Sequence, residues 1–156
     1  LQDEDALPTQ LYLSTNAADY ESFMKINKPK YDDSWERWNK TLDMLKDLNT
    51  RTVLRITLIR DYNDQKESIP AFAEMFRKAS PHFIEIKSYM HIGRSTNRLE
   101  HENMLEMEEV KKFSEEIAKQ SKIFSIMDES IVSRISILQN NERFIDRYIS
   151  TYANTI

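Results

Sequence analysis

Lys87 lies in the stretch FIEIKSYMHIGRSTNRL, residues 83–99, where Glu85, Lys87, Tyr89 and His91 share one side of an extended chain. An amine among such neighbours can pair with a carboxylate, polarise a carbonyl or form a Schiff base, and burial alone does not choose among these. The stretch continues through Gly93, the only glycine, into a loop carrying Arg94, Asn97 and Arg98, a small basic group able to contact phosphates. Two earlier segments carry matching polar lines: Gln10, Tyr12, Ser14 and Asn16 in one, Arg55 and Thr57 beside Val53 in the other. Asn63 follows in the turn-forming run Asp61-Tyr62-Asn63-Asp64. His91 and His101, with Glu100 or Glu102, invite a metal reading, but a turn separates them and helical HExxH spacing is missing, so no metal ligand is assigned. His82 follows Pro81 and reads as a surface turn residue, and Glu106, Glu108 and Glu109 read as a solvated helix face.

The elements that must position these groups follow from periodicity. Strands are expected at Gln10 to Asn16, Arg51 to Ile59 and Phe83 to His91, each with an apolar line opposite the polar one. Helical patterns separate them: Ala17 to Asn27, then Tyr31 to Leu48 capped at Asp33 or Ser34, then Lys66 to Ala79, stopped by Ser80-Pro81. Strands joined by helical crossovers are parallel, so the polar lines converge on one face, and groups near the strand C-terminal ends sit where barrels and α/β sheets bind ligands. Such alternation also suits a sheet with one face in water, where Lys87 would carry no chemistry. A fourth helix is expected from Met104 to Gln120, then a terminal β pair at Lys122 to Met127 and Arg134 to Gln139. Asn141 to Ile156 reads either as a short helix or as an irregular tail. The expected fold class is α/β: three parallel strands with helical crossovers, as in part of a (β/α) barrel, plus the β pair. Residues 1–156 form one domain in this reading, with 121–156 as a C-terminal extension.

Composition limits the chemistry. A chain of 156 residues with 31% charged and 40% hydrophobic residues has room for an ordinary core, and its net charge of -4 makes any polyanion site local. The absence of cysteine excludes disulfides, a thiol nucleophile and thiolate-held zinc or iron-sulfur centres on this chain. One glycine excludes phosphate cradles of the GxGxxG type. No apolar run approaches the ~20 residues that span a bilayer, no membrane role is expected, and a cytoplasmic location is the natural expectation.

The segments PTQLYLSTNA, RTVLRITLIRDYND, HFIEIKSYMHIGRSTNRLEHENM and DESIVSRISILQN, in this order, resemble the C-terminal half of the archaeal 4-demethylwyosine synthase family, the tRNA wybutosine-synthesising protein 1 family. The resemblance runs from about Leu7 to Gln139 and is most specific at KSYMHIGRSTNRL. It implies a radical S-adenosylmethionine enzyme with a partial barrel. In that family a [4Fe-4S] cluster cleaves S-adenosylmethionine, and pyruvate condenses with N1-methylguanosine of tRNA-Phe to give 4-demethylwyosine. It further implies that Ser14 and Asn16 meet the cofactor's ribose, with Arg55, Thr57, Asn63 and His91 as further cofactor contacts. Arg94 and Arg98 face tRNA, and Lys87 lines the active site. Where the family often reads Ser-x-Asp-Ala this chain has Ser14-Thr15-Asn16-Ala17, which keeps a hydrogen-bonding group and loses a charge. The family's cluster cysteines, its first strands and its Schiff-base lysine would lie in an N-terminal half outside this sequence. The chain is accordingly expected to be a fragment, inactive alone and open along its first strand at Tyr12. Two other functions fit the same residues: an aldolase-like barrel with Lys87 as the amine nucleophile, and a non-catalytic half-barrel that holds RNA through Arg94 and Arg98.

Overall fold

The computed structural model describes residues 6–149. Its centre is a five-stranded mixed sheet of β1 (Gln10–Ser14), β2 (Arg51–Leu58), β3 (Phe83–Ser88), β4 (Phe124–Ser130) and β5 (Ile135–Asn140), in the spatial order β1-β2-β3-β5-β4. The first three strands are parallel, with Leu13 beside Leu54 and Leu54 beside Ile84. β5 runs antiparallel to both β3 and β4, and a register shift interrupts the β4–β5 ladder between Ile126 and Asp128. The expected β pair is therefore present and continues the same sheet, while the parallel order stops at β3.

Helices α1 (Tyr20–Asn27) and α2 (Ser34–Met44) connect β1 to β2, α3 (Ile69–Ala79) connects β2 to β3, and α4 (Met107–Ser121) leads into β4. Period-two alternation explains why one sheet face is covered. Leu54, Ile56 and Leu58 of β2 and Ile84 and Ile86 of β3 are fully buried against Phe72 and Phe76 of α3 and Val110, Phe113 and Ile117 of α4. Phe72 stacks on Phe76 at 6.0 Å and meets Phe113 edge-on, fastening α3 to α4 over the sheet. Truncating one such ring to alanine costs about 3–5 kcal/mol.

The strands are shorter than their sequence patterns because side chains take over beyond their ends. Ser88 ends β3, and its hydroxyl accepts the Leu105 N–H at 2.8 Å, which ties the following loop back to the strand. Asp33 is the N-cap of α2 without a side-chain capping bond; its carboxylate instead receives Arg37 at 2.7 Å. α3 ends at Ser80, in the left-handed region at φ 42, immediately before Pro81. Residues 141–149 contain neither helix nor strand, so the described part of the tail is irregular; residues 150–156 of that reading lie outside the described residues.

Candidate functional site

The polar lines of β1, β2 and β3 lie on one face of the sheet, opposite the helices, and cross it in rows. Ser14, Arg55 and Glu85 form one row by register, and Thr57 and Lys87 the next towards the strand C-terminal ends. Arg55 Nε donates to Glu85 Oε1 at 2.7 Å and Nη2 to Oε2 at 3.4 Å, a forked pair with the carboxylate buried. The guanidinium also lies 4.6 Å from the Tyr12 ring centroid. Burial, followed by the Glu85 charge, pushes the Tyr12 phenol above its ordinary range. Arg55 is thereby neutralised within its own row. Among the described residues, Lys87 one row above has no carboxylate within 4 Å.

Asn63, 2% exposed, organises the ends of β1 and β2. Its amide nitrogen donates to the carbonyls of Asn16 and Thr57 at 2.9 Å each, and its oxygen accepts the Ile59 N–H at 2.7 Å. All of its amide functions go to backbone, which makes it a positioning residue. Asn16 accepts the Thr57 N–H at 2.9 Å through Oδ1, and among the described residues its NH2 group has no partner.

A cleft of about 430 Å³ opens at this end of the sheet, with Asn16, Thr57, Lys87 and Tyr89 on its floor. One wall is the end of α1, where Lys25 Nζ sits 4.9 Å over the Tyr62 ring and Lys28 occupies the left-handed C-cap at φ 45. The other wall is the loop after Gly93, whose φ of 62 suits a residue without Cβ; Ser95, Arg98 and Leu99 face the cleft from it. Lys25, Lys28, Lys87 and Arg98 are lining residues, and no carboxylate is. The site attracts anions although the chain as a whole is acidic.

Other candidates fall outside this cleft. Ser14 and Arg94 are exposed and do not line it. His91 is not a lining residue either: the Tyr89 hydroxyl is 3.1 Å from its Nδ1, and its ring meets His101 edge-on. His82 differs from the surface residue its position suggested. It is half-buried and its Nδ1 accepts the Thr52 N–H at 3.1 Å; burial, then the charges of Arg143 and Arg51, hold the imidazole below its ordinary pKa. The acidic cluster at the start of α4 also does more than meet solvent. Glu106 and Glu109 form a capping box, Glu106 meets Arg134 at 3.1 Å, and Glu109 receives Arg60.

The opposite end of the polar face is occupied by the chain's own tail. Arg51 donates to the carbonyls of Asp146, Arg147 at 2.8 Å and Tyr148 at 3.2 Å, and Arg147 pairs with Asp128. Tyr148 and Ile149 thus border a smaller hollow of about 330 Å³ with Tyr12, Glu85 and Met127. Sequence patterning missed Lys25, Lys28, Tyr62 and this tail contact. The signal for the lysines was their place at the end of the first crossover, on the ligand-binding side of a parallel sheet.

Comparison with known proteins agrees with the fold. The sequence model of the family described as "wyosine base formation" matches residues 78–140. The S-adenosyl-L-methionine-dependent tRNA 4-demethylwyosine synthase of Methanocaldococcus jannaschii is 43% identical over 141 residues, covering 89% of this chain and 43% of that protein. The enzyme of the same name from Pyrococcus abyssi is 39% identical over 139 residues, covering 89% of this chain and 40% of its own length. The chain spans about two fifths of the length of these relatives. A structure of TYW1 with a lysine-pyruvate adduct bound superimposes with a TM-score of 0.81 at 41% identity, covering 92% of this chain and 44% of that one. A crystal structure of archaeal TYW1 gives 0.71 at 37% identity, covering 88% and 42%.

Proposed function

We propose that this chain, a relative of the tRNA 4-demethylwyosine synthases over nine tenths of its length, is the C-terminal part of such a synthase. In this reading its sheet continues an open barrel through β1. The complete enzyme condenses pyruvate with N1-methylguanosine of tRNA-Phe to form 4-demethylwyosine, using S-adenosylmethionine and an iron-sulfur cluster in the cytoplasm. The observation that carries the reading is the cationic cleft at the C-terminal ends of three parallel strands, with Lys87, Tyr89 and Arg98 inside the segment 78–140 that matches the wyosine family.

The residues present fit S-adenosylmethionine in part. The free amide NH2 of Asn16, the Thr57 side chain and the apolar Ile26, Ile59 and Ile92 suit a nucleoside. When bound, S-adenosylmethionine supplies the radical that starts the reaction. The cluster does not fit this chain, which has no cysteine. Lys87, without a carboxylate partner among the described residues, contributes a positive charge at the cleft floor, suited to a carboxylate or to charge developing at a carbonyl. Arg55, held by Glu85 and Tyr12, fixes the row beneath it.

The test is conversion of tRNA-Phe carrying N1-methylguanosine, read by nucleoside mass spectrometry under reducing, anaerobic conditions with pyruvate and S-adenosylmethionine. The complete protein should form 4-demethylwyosine and the 156-residue chain alone should not. A reconstituted complete protein that leaves the nucleoside unchanged would refute the assignment.

A further inference from the structure

We propose that Lys25 and Lys28 on one wall of the cleft and Arg98 on the other grip the two phosphates flanking a nucleoside turned out of its stack. The inference rests on the tRNA-modifying reading above, assigns a role to Lys25 and Lys28, which that reading leaves without one, and pairs them with Arg98. A base whose ring is to be remodelled must leave the stack to reach a reactive group, and its 5′ and 3′ phosphates then remain at the rim of the pocket. A pocket serving only a small carboxylate needs cations near its floor. Here Lys87 is on the floor, while the other cations stand on opposite walls.

The backbone that carries the wall cations is fixed, and the Lys25 head also has a side-chain contact. Lys25 Nζ rests over the Tyr62 ring at 4.9 Å, and Tyr62 itself is set by the turn in which its N–H donates to the Ile59 carbonyl at 3.0 Å. Lys28 is fixed by the left-handed end of α1, where its N–H donates to the Met24 carbonyl at 3.2 Å. On the other side, Ser95 Oγ donates to the Ile92 carbonyl at 2.7 Å, Thr96 Oγ1 to the Gly93 carbonyl at 2.8 Å, and the Arg98 N–H to the Ser95 carbonyl at 2.9 Å. Among the described residues none of these three cations has a carboxylate within 4 Å, so each is available to an anion. Arg94, in the same loop, does not line the cleft and has no part in the grip.

Phosphate and the carboxylate of a small substrate share the same chemistry, and the test separates them. The complete protein is compared with its Lys25→Gln/Lys28→Gln and Arg98→Gln variants. Equilibrium binding of tRNA-Phe is measured from low to moderate salt, together with KM for pyruvate. The double variant should bind tRNA about tenfold more weakly, and its log Kd against log salt slope should fall by about 0.7, the increment for the one phosphate left without its cations. Arg98→Gln, which uncovers the other phosphate, should lower the slope by about as much. The pyruvate KM should not change. A Lys25→Arg/Lys28→Arg variant should retain the wild-type slope, and unchanged melting temperatures would show that folding is intact. Unchanged tRNA affinity and slope, or a raised pyruvate KM with normal tRNA binding, would overturn the grip. If the wild-type protein forms no modified base yet the double variant loses tRNA binding and slope, the synthase reading fails and the grip stands.

Discussion

Arg60 and Glu109 face each other through two hydrogen bonds of 2.6 Å, joining the end of β2 to the first turn of α4. The same guanidinium donates to the carbonyls of Glu102 and Met104 at 3.0 Å, so one side chain secures the whole connection into α4. The Arg60 hydrogen bonds, against the opposing effect of burial, hold the Glu109 carboxyl below its ordinary range. A carboxyl with a lowered folded-state pKa adds stability above its unfolded value of about 4.3, and that stability is lost as pH falls through the folded value. Both side chains are about one-third exposed, so screening limits the pair. Arg60→Ala should cost about 1–2 kcal/mol at pH 7 and clearly less at pH 3. Urea unfolding at the two pH values checks this, and an equal loss at both would contradict it.

Asn63→Ala should cost about 2–4 kcal/mol, because it leaves the Ile59 N–H and the Asn16 and Thr57 carbonyls without their buried partner. Asn63→Asp keeps the acceptor and loses both donors, so it should not rescue. Amide hydrogen exchange should quicken at Ile59, whose N–H loses its acceptor, before it changes in α3.

Lys87→Met removes the floor cation while keeping the volume. It should lower kcat/KM of the complete protein by about 10–100-fold, about 1.4–2.7 kcal/mol of transition-state stabilisation, with little effect on unfolding. Trapping with pyruvate and borohydride should label the wild type and this variant equally, because Lys87 acts by charge. Loss of the label in Lys87→Met would instead favour the aldolase-like mechanism.

His82 makes folding pH-dependent in a second window. Its imidazole must be unprotonated at Nδ1 to accept the Thr52 N–H, and its pKa is lowered in the fold. The stability it contributes is present above the unfolded value of about 6.5 and lost as pH falls through the lower folded value. Wild-type urea midpoints should therefore fall between pH 7 and pH 5. His82→Asn should flatten that slope; an equally steep one would show that another group controls it.

Arg51→Met should release the tail from the sheet. Trypsin should then cut after Arg143 and Arg147 several times faster, while cutting within α3 and α4 is unchanged. Equal rates for both forms would mean that the Arg51 hydrogen bonds to the Asp146, Arg147 and Tyr148 carbonyls do not hold the tail.

Much of the sheet was legible in the sequence, because period-two alternation with long helical crossovers leaves few arrangements for three strands and sorts their side chains onto two faces. That logic placed Lys87, Thr57 and Asn16 at the cleft. It stops where the strands stop. Asn63 reads as turn chemistry, yet its side chain turns inward because two strand ends leave backbone groups that water cannot reach. Arg60 and Glu109 are far apart in sequence, and no local pattern reports their pairing. Lys25 and Lys28 look like ordinary helix-surface charges until β1 fixes where α1 ends.

The antiparallel attachment of β5 to β3 also concerns time. Only residues 131–134 separate β4 from β5, and a hairpin of that kind closes in about 1–10 μs. β1 and β2 can pair only after the whole crossover of α1 and α2 has been drawn in, so loop-closure entropy precedes any reward from contact. The hairpin, with β3 added to its β5 edge, is therefore expected to order first. The cleft, which needs β1, α1 and the Asn63 bridge together, should order last. Stopped-flow folding should then show Trp35, packed on α1 through Phe23 at 5.2 Å, reaching its native signal only in the slowest phase.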